Sequence, residues 1–174
     1  MNGVILSDTD CEYVKSFFDE TNSIDGKTPK YFSYGETRVL IKKNVSGLCC
    51  DVTDSTLINF LLDKLKILDI KSIHSSSVSI IKYSKGDYFD KHRDISRNGF
   101  GAAYKTLVIQ LSDSTEYTGG DFCIEDEPQI RNKGSFILFL SSKEHEVKKI
   151  ESGTRYSLTI FLHYDDFINK NTLI

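Results

Sequence analysis

The feature that most limits the fold is a series of short, β-branched segments, which fills the chain from Ser76 onward. Turn signals such as Gly119-Gly120 separate the segments, which read SSVSIIKY, YFDKHRD, KTLVIQLS, DFCIE, SFILFL, HEVKKI and RYSLTIFLHY. Many short strands at this spacing predict an antiparallel β-sandwich or barrel. The alternating strands and helices of a Rossmann fold are missing, and so is a glycine-rich phosphate loop.

Two helical patterns precede the strands. Ser7, with Asp10 three residues later, is typical of a helix start, and the apolar residues that follow at helical spacing are Cys11, Val14, Phe17 and Phe18. A second helix is predicted over Ser55–Leu68, with an apolar face made of Ile58, Leu61, Leu62, Leu65 and Leu68. Between them, PKYFSYGETRVLIKK is predicted to be an exposed aromatic loop that runs into a strand including Val39–Lys42. The fold class is therefore an all-β core with flanking helices (α+β).

Length and composition indicate a single domain in a reducing compartment. A chain of 174 residues can bury one sizeable core, so we expect one domain over residues 1–174. The 22 basic and 25 acidic residues are mixed, and the net charge of −3 gives no electrostatic signal for nucleic acid or membrane. The four cysteines lack CxxC spacing, and neither a signal peptide nor a transmembrane run is present, so a cytoplasmic location is expected. The oligomeric state is not indicated.

The last predicted strand carries an inward-facing cation. Its residues alternate between two series. One series is apolar and comprises Tyr156, Leu158, Ile160 and Leu162; the other comprises Arg155, Ser157, Thr159 and Phe161. If the apolar series packs on the helices, Arg155 points into the barrel. A buried guanidinium is costly unless an anion pairs with it. The alternative is that Arg155 lies at the exposed end of the strand and pairs with a surface glutamate such as Glu151.

Three residues form a candidate metal site. His92 and Asp94 are two apart, so on a strand they share a face. Taken alone, they could equally be a surface ion pair, and His145 could be an ordinary solvated histidine. Together they supply two imidazoles and one carboxylate, the facial triad that suits non-haem Fe(II). Arg155 follows His145 by ten residues, across a turn that we expect to be centred on Gly153.

The motifs that carry these candidate site residues resemble those of a known family. The chain resembles the iron(II)- and 2-oxoglutarate-dependent dioxygenases, and within them the prolyl-hydroxylase-like group, in three successive motifs: HRD, HEV and GTRYSLT. LSDTDCEYVKSFF looks like the opening helix of that group, and TLVIQLSDSTEYTGGDF like the hairpin after the first ligands. The resemblance implies a double-stranded β-helix, or jelly-roll barrel, with N-terminal helices packed on one sheet.

The resemblance also implies a role for each site residue. His92, Asp94 and His145 would bind Fe(II), and Arg155 would hold the distal carboxylate of 2-oxoglutarate with help from Ser157. Tyr83 matches a tyrosine that reaches the cosubstrate in similar enzymes, although it could also be a half-buried strand aromatic. Gln110 stands where relatives often carry a tyrosine and is a further candidate contact. The implied cofactors are Fe(II), 2-oxoglutarate, O2 and ascorbate. His74 and His163 match no ligand position and are expected to be structural.

Three functions follow as hypotheses. The first is an oxygenase that hydroxylates a prolyl or other residue in a polypeptide and converts 2-oxoglutarate to succinate. The second is an oxygenase for a free small molecule or nucleobase, and the third is a non-catalytic barrel. Aromatic side chains suit proline rings, and we expect Tyr31, Phe32 and Tyr34, with the loop Asn98 to Tyr104, to form the rim that contacts a polypeptide.

Overall fold

The computed structural model describes residues 1–18, 24–25, 31–34, 37–40, 45–94 and 103–168. The first helix, α1, spans Asp8–Lys15 and begins at the predicted cap. The Ser7 hydroxyl accepts a hydrogen bond from the Asp10 backbone N–H at 3.2 Å, and the Asp10 carboxylate accepts one from the Ser7 backbone N–H at 2.9 Å. This reciprocal pair satisfies two N–H groups that a helix start leaves unpaired, so the prediction is confirmed.

The second helix, α2, is shorter than predicted. It spans Ser55–Leu65, and a 3-10 helix covers Lys66–Leu68 instead of a last α-helical turn. The chain leaves this turn through Asp69, whose φ of 58° is left-handed and cannot continue an α-helix. Three residues of the predicted apolar face, Ile58, Leu61 and Leu65, are buried. Leu62 and Leu68 are only half-buried, and the face is completed by Leu57, which was not predicted.

Fifteen strands lie in the described part of the chain: β1 Asn2–Val4, β2 Ile24–Asp25, β3 Tyr31–Tyr34, β4 Thr37–Leu40, β5 Val45–Ser46, β6 Leu48–Asp51, β7 Val78–Ser84, β8 Tyr88–His92, β9 Lys105–Gln110, β10 Tyr117–Gly119, β11 Phe122–Ile124, β12 Glu127–Pro128, β13 Ser135–Leu140, β14 His145–Val147 and β15 Ile150–Leu162. A major sheet has the order β1-β13-β9-β15-β7-β6-β2, with β10 also paired to β15, and a minor sheet has the order β12-β11-β14-β8-β5. The predicted antiparallel architecture is confirmed, since the strand pairs in both sheets are antiparallel.

Two apolar layers hold this architecture together. One lies between the helices and the outer face of the major sheet, where Leu57 and Leu61 pack in the same cluster as Leu158, Ile160 and Leu162. The other lies between the two sheets and contains major-sheet residues such as Val108 and minor-sheet residues such as Phe122. The alternation along β15 is therefore as predicted, with its apolar series toward the helices and its other series toward the minor sheet. No helix in the described residues has the length and apolar character needed to cross a membrane.

Two local predictions were wrong. The aromatic segment at 31–34 is a strand, β3, and it pairs with β4 in a separate two-stranded sheet, whereas we expected a loop. The predicted strand there is present at Val39 and Leu40, and residues 41–42 lie outside the described part. Gly153 lies inside β15, and the turn after β14 falls at residues 148–149. Gly153 is needed there because its φ is +74° and an added Cβ would lie 2.0 Å from the carbonyl oxygen of Glu116 on the way into β10.

Candidate active site

Strand pairing brings the three candidate metal ligands together. His92 ends β8 and His145 begins β14, and the two residues are direct partners across this antiparallel pair. Asp94 lies just beyond the end of β8, where its backbone N–H donates to the carbonyl oxygen of Ser141 at 2.9 Å. One Asp94 oxygen lies 3.4 Å from His92 Nε2, and the other lies 3.2 Å from His145 Nε2. The three ligand atoms lie within 4.8 Å of one another.

Backbone carbonyls orient both imidazoles toward the aspartate. His92 Nδ1 lies 2.8 Å from the carbonyl oxygen of Asp90, and His145 Nδ1 lies 3.0 Å from that of Lys143. A carbonyl oxygen can only accept, so each Nδ1 carries the hydrogen and each Nε2 is directed at Asp94. This is the usual outer-shell arrangement of metal-binding histidines.

The electrostatics of the triad favour a bound cation. Burial alone would raise the pKa of Asp94, but hydrogen bonds with His145 and His92 outweigh burial and hold this pKa well below its ordinary value. Burial would likewise lower the pKa of His145, yet the hydrogen bond and charge of Asp94 raise it. The carboxylate is therefore ionised and attracts positive charge. The separations of 3.4 and 3.2 Å between the Asp94 oxygens and the two imidazole nitrogens would allow these atoms to hold one metal ion together.

Two hydroxyl groups that the sequence did not point to hold Asp94 in place. Thr106 Oγ1, on β9, donates to Asp94 Oδ2 at 2.7 Å, and it lies 2.9 Å from Ser141 Oγ. A hydroxyl has one hydrogen, so Ser141 must donate to Thr106 if Thr106 donates to Asp94. Both side chains are buried. A polar residue inside the apolar strand KTLVIQ was the only local signal for Thr106, and many such residues are structural.

The triad and Arg155 line the same pocket. This pocket lies between the two sheets, and its walls are mainly apolar. The Arg155 side chain is 1% exposed, so the alternative of a surface pair with Glu151 is wrong. Within the described residues no carboxylate lies within ion-pair distance of Arg155, and its buried Nε has no hydrogen-bond partner. A buried cation with a spare N–H group fits an anionic ligand.

Neutral side chains surround the guanidinium. Arg155 Nη1 lies 3.4 Å from Ser157 Oγ, Nη2 donates to Gln110 Oε1 at 2.9 Å, and Cζ lies 5.4 Å from the centre of the Tyr83 ring. Tyr83 is the direct β-sheet partner of Arg155 and is fully buried, not half-buried, and burial raises the pKa of its phenol. The phenol therefore stays neutral. Ser157 and Tyr83 are among the residues that line the pocket, whereas Gln110 is not.

His74 and His163 lie outside this group. Their rings contact each other with centroids 6.0 Å apart, and His74 Nε2 lies 3.9 Å from the buried carboxylate of Asp166. Neither residue lines the pocket or belongs to the metal-ligand group. This is in keeping with their expected structural role.

Comparisons with known proteins agree on one family. The sequence pattern of the 2OG-Fe(II) oxygenase superfamily matches residues 78–163. A PKHD-type hydroxylase of Prochlorococcus marinus is 33% identical over 82 residues, which is 45% of this chain and 37% of that protein. A PKHD-type hydroxylase of Acaryochloris marina is 26% identical over 163 residues, which is 87% of this chain and 71% of that protein.

Solved structures share the fold. A prolyl-4-hydroxylase of Pseudomonas putida superimposes with a TM-score of 0.62 at 16% identity, covering 94% of this chain and 91% of that one. A viral collagen prolyl hydroxylase of Paramecium Bursaria Chlorella virus-1 gives a TM-score of 0.62 at 15% identity, covering 91% and 92%. The two facing sheets are thus the double-stranded β-helix of these proteins. Residues 78–163 thus match the 2OG-Fe(II) oxygenase superfamily, a dioxygenase family that uses Fe(II), 2-oxoglutarate and O2.

Proposed function

We propose that this protein is a 2-oxoglutarate-dependent hydroxylase whose Fe(II) ligands are His92, Asp94 and His145. The strongest support is that these ligands and an unneutralised guanidinium line one pocket. A cation site and an anion site in the same pocket suit a cosubstrate that chelates a metal at one end and carries a carboxylate at the other. A non-catalytic barrel offers no reason to bury Arg155 without a carboxylate partner, because such burial is costly.

Arg155 and Ser157 are assigned to the distal carboxylate of 2-oxoglutarate. The guanidinium supplies charge-assisted hydrogen bonds, and Ser157 lies two residues along the same face of β15 with its hydroxyl beside Nη1. Tyr83 keeps its phenolic hydrogen because burial raises its pKa, so it can donate a hydrogen bond to the cosubstrate.

Fe(II) bound at this site, with 2-oxoglutarate and O2, supplies hydroxylation: one oxygen atom becomes the hydroxyl of the substrate, and the other enters 2-oxoglutarate, which loses CO2 and becomes succinate. The residues of this chain orient the reactants and exclude water. Phe89 stacks on the His92 ring with centroids 3.7 Å apart, and Val108, Phe122 and Val147 add apolar wall. Thr106 fixes the carboxylate of Asp94.

A proline-containing polypeptide is our proposed substrate. Support comes from the fold neighbours, which are prolyl hydroxylases by name, and from the aromatic residues Tyr31, Phe32 and Tyr34 on β3. Aromatic side chains bury large area for little rotamer entropy, which suits proline rings. The second part of the expected rim runs from Asn98 to Tyr104. Positions 98–102 of this loop lie outside the described part of the chain. A free small molecule or a nucleobase is the alternative substrate, although the chain lacks the basic stripe of a nucleic-acid reader.

We further propose that residues 1–174 form one catalytic domain. The support is that α1 and α2 bury their apolar faces in the same cluster as residues of β7, β9, β13 and β15. Removing the helices would expose one face of the sheet whose other face carries Arg155.

The test is a comparison of matched substrates with Fe(II), 2-oxoglutarate and ascorbate present. Proline-containing peptides, the same peptides with alanine for proline, free proline and oligonucleotides are incubated with the enzyme, and succinate and the mass of one added oxygen atom are measured. We expect oxidation of the proline-containing peptides alone, and weaker oxidation after Tyr31→Ala and Tyr34→Ala. Efficient oxidation of a free metabolite or a nucleobase, with all peptides inert, would overturn the polypeptide substrate.

A further inference from the structure

Gln110 is held between Arg155 and the backbone of a neighbouring segment. It lies on β9 next to Ser157 of β15 and is 1% exposed. Its Oε1 accepts a hydrogen bond from Arg155 Nη2 at 2.9 Å, and its Nε2 donates to the carbonyl oxygen of Ile130 at 3.3 Å. The amide cannot be reversed, because Arg155 can only donate and the Ile130 carbonyl can only accept.

Gln110 and Ser157 contact different atoms of the guanidinium: Gln110 accepts from Nη2, whereas Ser157 lies beside Nη1. The described residues that line the pocket include Arg155 and Ser157 but not Gln110. The Gln110 side chain therefore contacts Arg155 and the carbonyl oxygen of Ile130. It provides an acceptor without a charge, so Arg155 keeps a full positive charge and the unpaired Nε noted above. A glutamate of the same shape at this position would form an ion pair with Arg155.

We propose that Gln110 is a positioning residue: it fixes the Arg155 guanidinium for the distal carboxylate of 2-oxoglutarate and leaves its charge uncompensated. This inference rests on the proposed role of Arg155. Residue 110 thereby sets how strongly the pocket prefers a dicarboxylate over a 2-oxo acid that ends in a methyl group. We expect this effect to be transmitted through Arg155, because the amide oxygen accepts a hydrogen bond from its Nη2.

The test measures binding without turnover. Fe(II)-loaded protein is titrated anaerobically, by calorimetry, with 2-oxoglutarate and with 2-oxopentanoate, in which a methyl group replaces the distal carboxylate. For Gln110→Glu we expect 2-oxoglutarate to bind about 10-fold to 100-fold more weakly, while 2-oxopentanoate changes less than about 2-fold. Gln110→Leu removes the acceptor without adding charge, and we expect a smaller loss of roughly 5-fold to 10-fold for 2-oxoglutarate alone.

Gln129→Glu is the matched control. It makes the same chemical change at a glutamine whose amide donates to the carbonyl oxygen of Glu127, away from the pocket, and both affinities should stay at the wild-type values. Metal affinity and melting temperature are measured for every variant. If Gln110→Glu does not fold, the comparison of the two ligands in Gln110→Leu decides.

Two outcomes would overturn the inference. One is a Gln110→Glu protein that keeps the wild-type preference for 2-oxoglutarate, and the other is an equal loss of both ligands, which indicates a general structural defect. Failure of the underlying proposal looks different: the wild-type protein would itself bind the two ligands equally, or Arg155→Ala would keep the preference. If Arg155→Ala loses the preference and neither Gln110 variant does, only the role of Gln110 is wrong.

Discussion

Apart from the two histidines, Arg155 and Asp94 are the charged side chains among the described residues that line the pocket. Asp94 accepts a hydrogen bond from Thr106 and lies beside Nε2 of both imidazoles. Arg155 has neutral partners and one N–H group without any. The alternation along β15 predicted the inward direction of Arg155 only if the apolar series faced the helices, and a surface pair with Glu151 was the alternative. The contact between Thr106 and Asp94 could not be predicted, since it depends on how far two separate strands approach.

Replacing a triad residue tests the metal site. We expect His92→Ala, Asp94→Ala and His145→Ala each to lose nearly all Fe(II) binding and turnover, because a facial site with two ligands holds the metal weakly. The unfolding transition should stay cooperative. Metal content after dialysis, succinate formation and thermal unfolding provide the measurements. A variant that keeps full succinate production would show that its residue is not a ligand.

Replacing Arg155 tests the cosubstrate site separately. Arg155→Ala should raise the concentration of 2-oxoglutarate needed for half-maximal rate, because a charge-assisted carboxylate contact is worth about 1.5 to 3 kcal/mol, or roughly 10-fold to 150-fold in affinity. Metal affinity should be largely kept. An unchanged dependence on 2-oxoglutarate would exclude Arg155 from cosubstrate binding.

The hydroxyl beside Asp94 should tune the metal affinity. Thr106→Val removes the hydrogen bond to Asp94 at nearly constant volume, and we expect metal to bind roughly 10-fold to 100-fold more weakly, as is usual for outer-shell changes. Thr118→Val is the control, because Thr118 is exposed and bonds to Ser152 on the surface. Fe(II) or Mn(II) affinity of the two variants is compared by calorimetry. Equal affinities would mean that Asp94 keeps its position without Thr106.

At the scale of secondary-structure elements, the sequence was most informative where one physical cause dominated. Capping and an apolar stripe predicted where α1 begins and which face of α2 is buried, and alternation predicted both faces of β15. The aromatic strand β3 was missed because it pairs locally with β4 and carries no alternation between apolar and polar residues. The end of α2 and the position of Gly153 were missed for another reason: both depend on contacts with distant backbone, which a local pattern does not contain.

Gly153 allows a prediction about strand β15. Gly153→Ala should destabilise the protein strongly, because a Cβ meets the Glu116 carbonyl oxygen at 2.0 Å and the φ of +74° adds about 1 to 2 kcal/mol. Gly86→Ala is the control: its φ is +93°, but its Cβ meets nothing within 4 Å, so it carries the backbone cost alone. Urea unfolding of the two variants is compared. Equal losses of unfolding free energy would mean that β10 moves away from β15 at little cost.

At the scale of the whole molecule, helices, major sheet and minor sheet form three layers, and the pocket lies between the last two. The core on the helix side is a large apolar cluster, whereas the layer between the sheets carries the charged groups of the site. Folding stability and site chemistry are therefore largely separated in space. The site still costs stability, because Arg155 is buried without an anion.

This cost predicts that ligands stabilise the fold. A metal ion at 100 times its dissociation constant should add about 2.7 kcal/mol to the free energy of unfolding, and 2-oxoglutarate should add more when metal is present. Unfolding by urea with Mn(II), with Mn(II) and 2-oxoglutarate, and with a chelator measures the increments. His145→Ala should show no increment from Mn(II). A wild-type protein equally stable in all three conditions would contradict a site between the sheets.

The direct pairing of His92 with His145 across β8 and β14 has a consequence for motion. The strands of the minor sheet are two to five residues long, so few backbone hydrogen bonds resist their separation. If His92 and His145 bind the same ion, as proposed, that ion would link neighbouring strands, and local opening of this sheet would then have to break metal–ligand bonds. Amide hydrogen exchange in β8 and β14 should therefore slow when the metal binds, while exchange in α2, on the far side of the major sheet, follows only the global stability. The minor sheet would thus gain much of its rigidity from the ion that it holds.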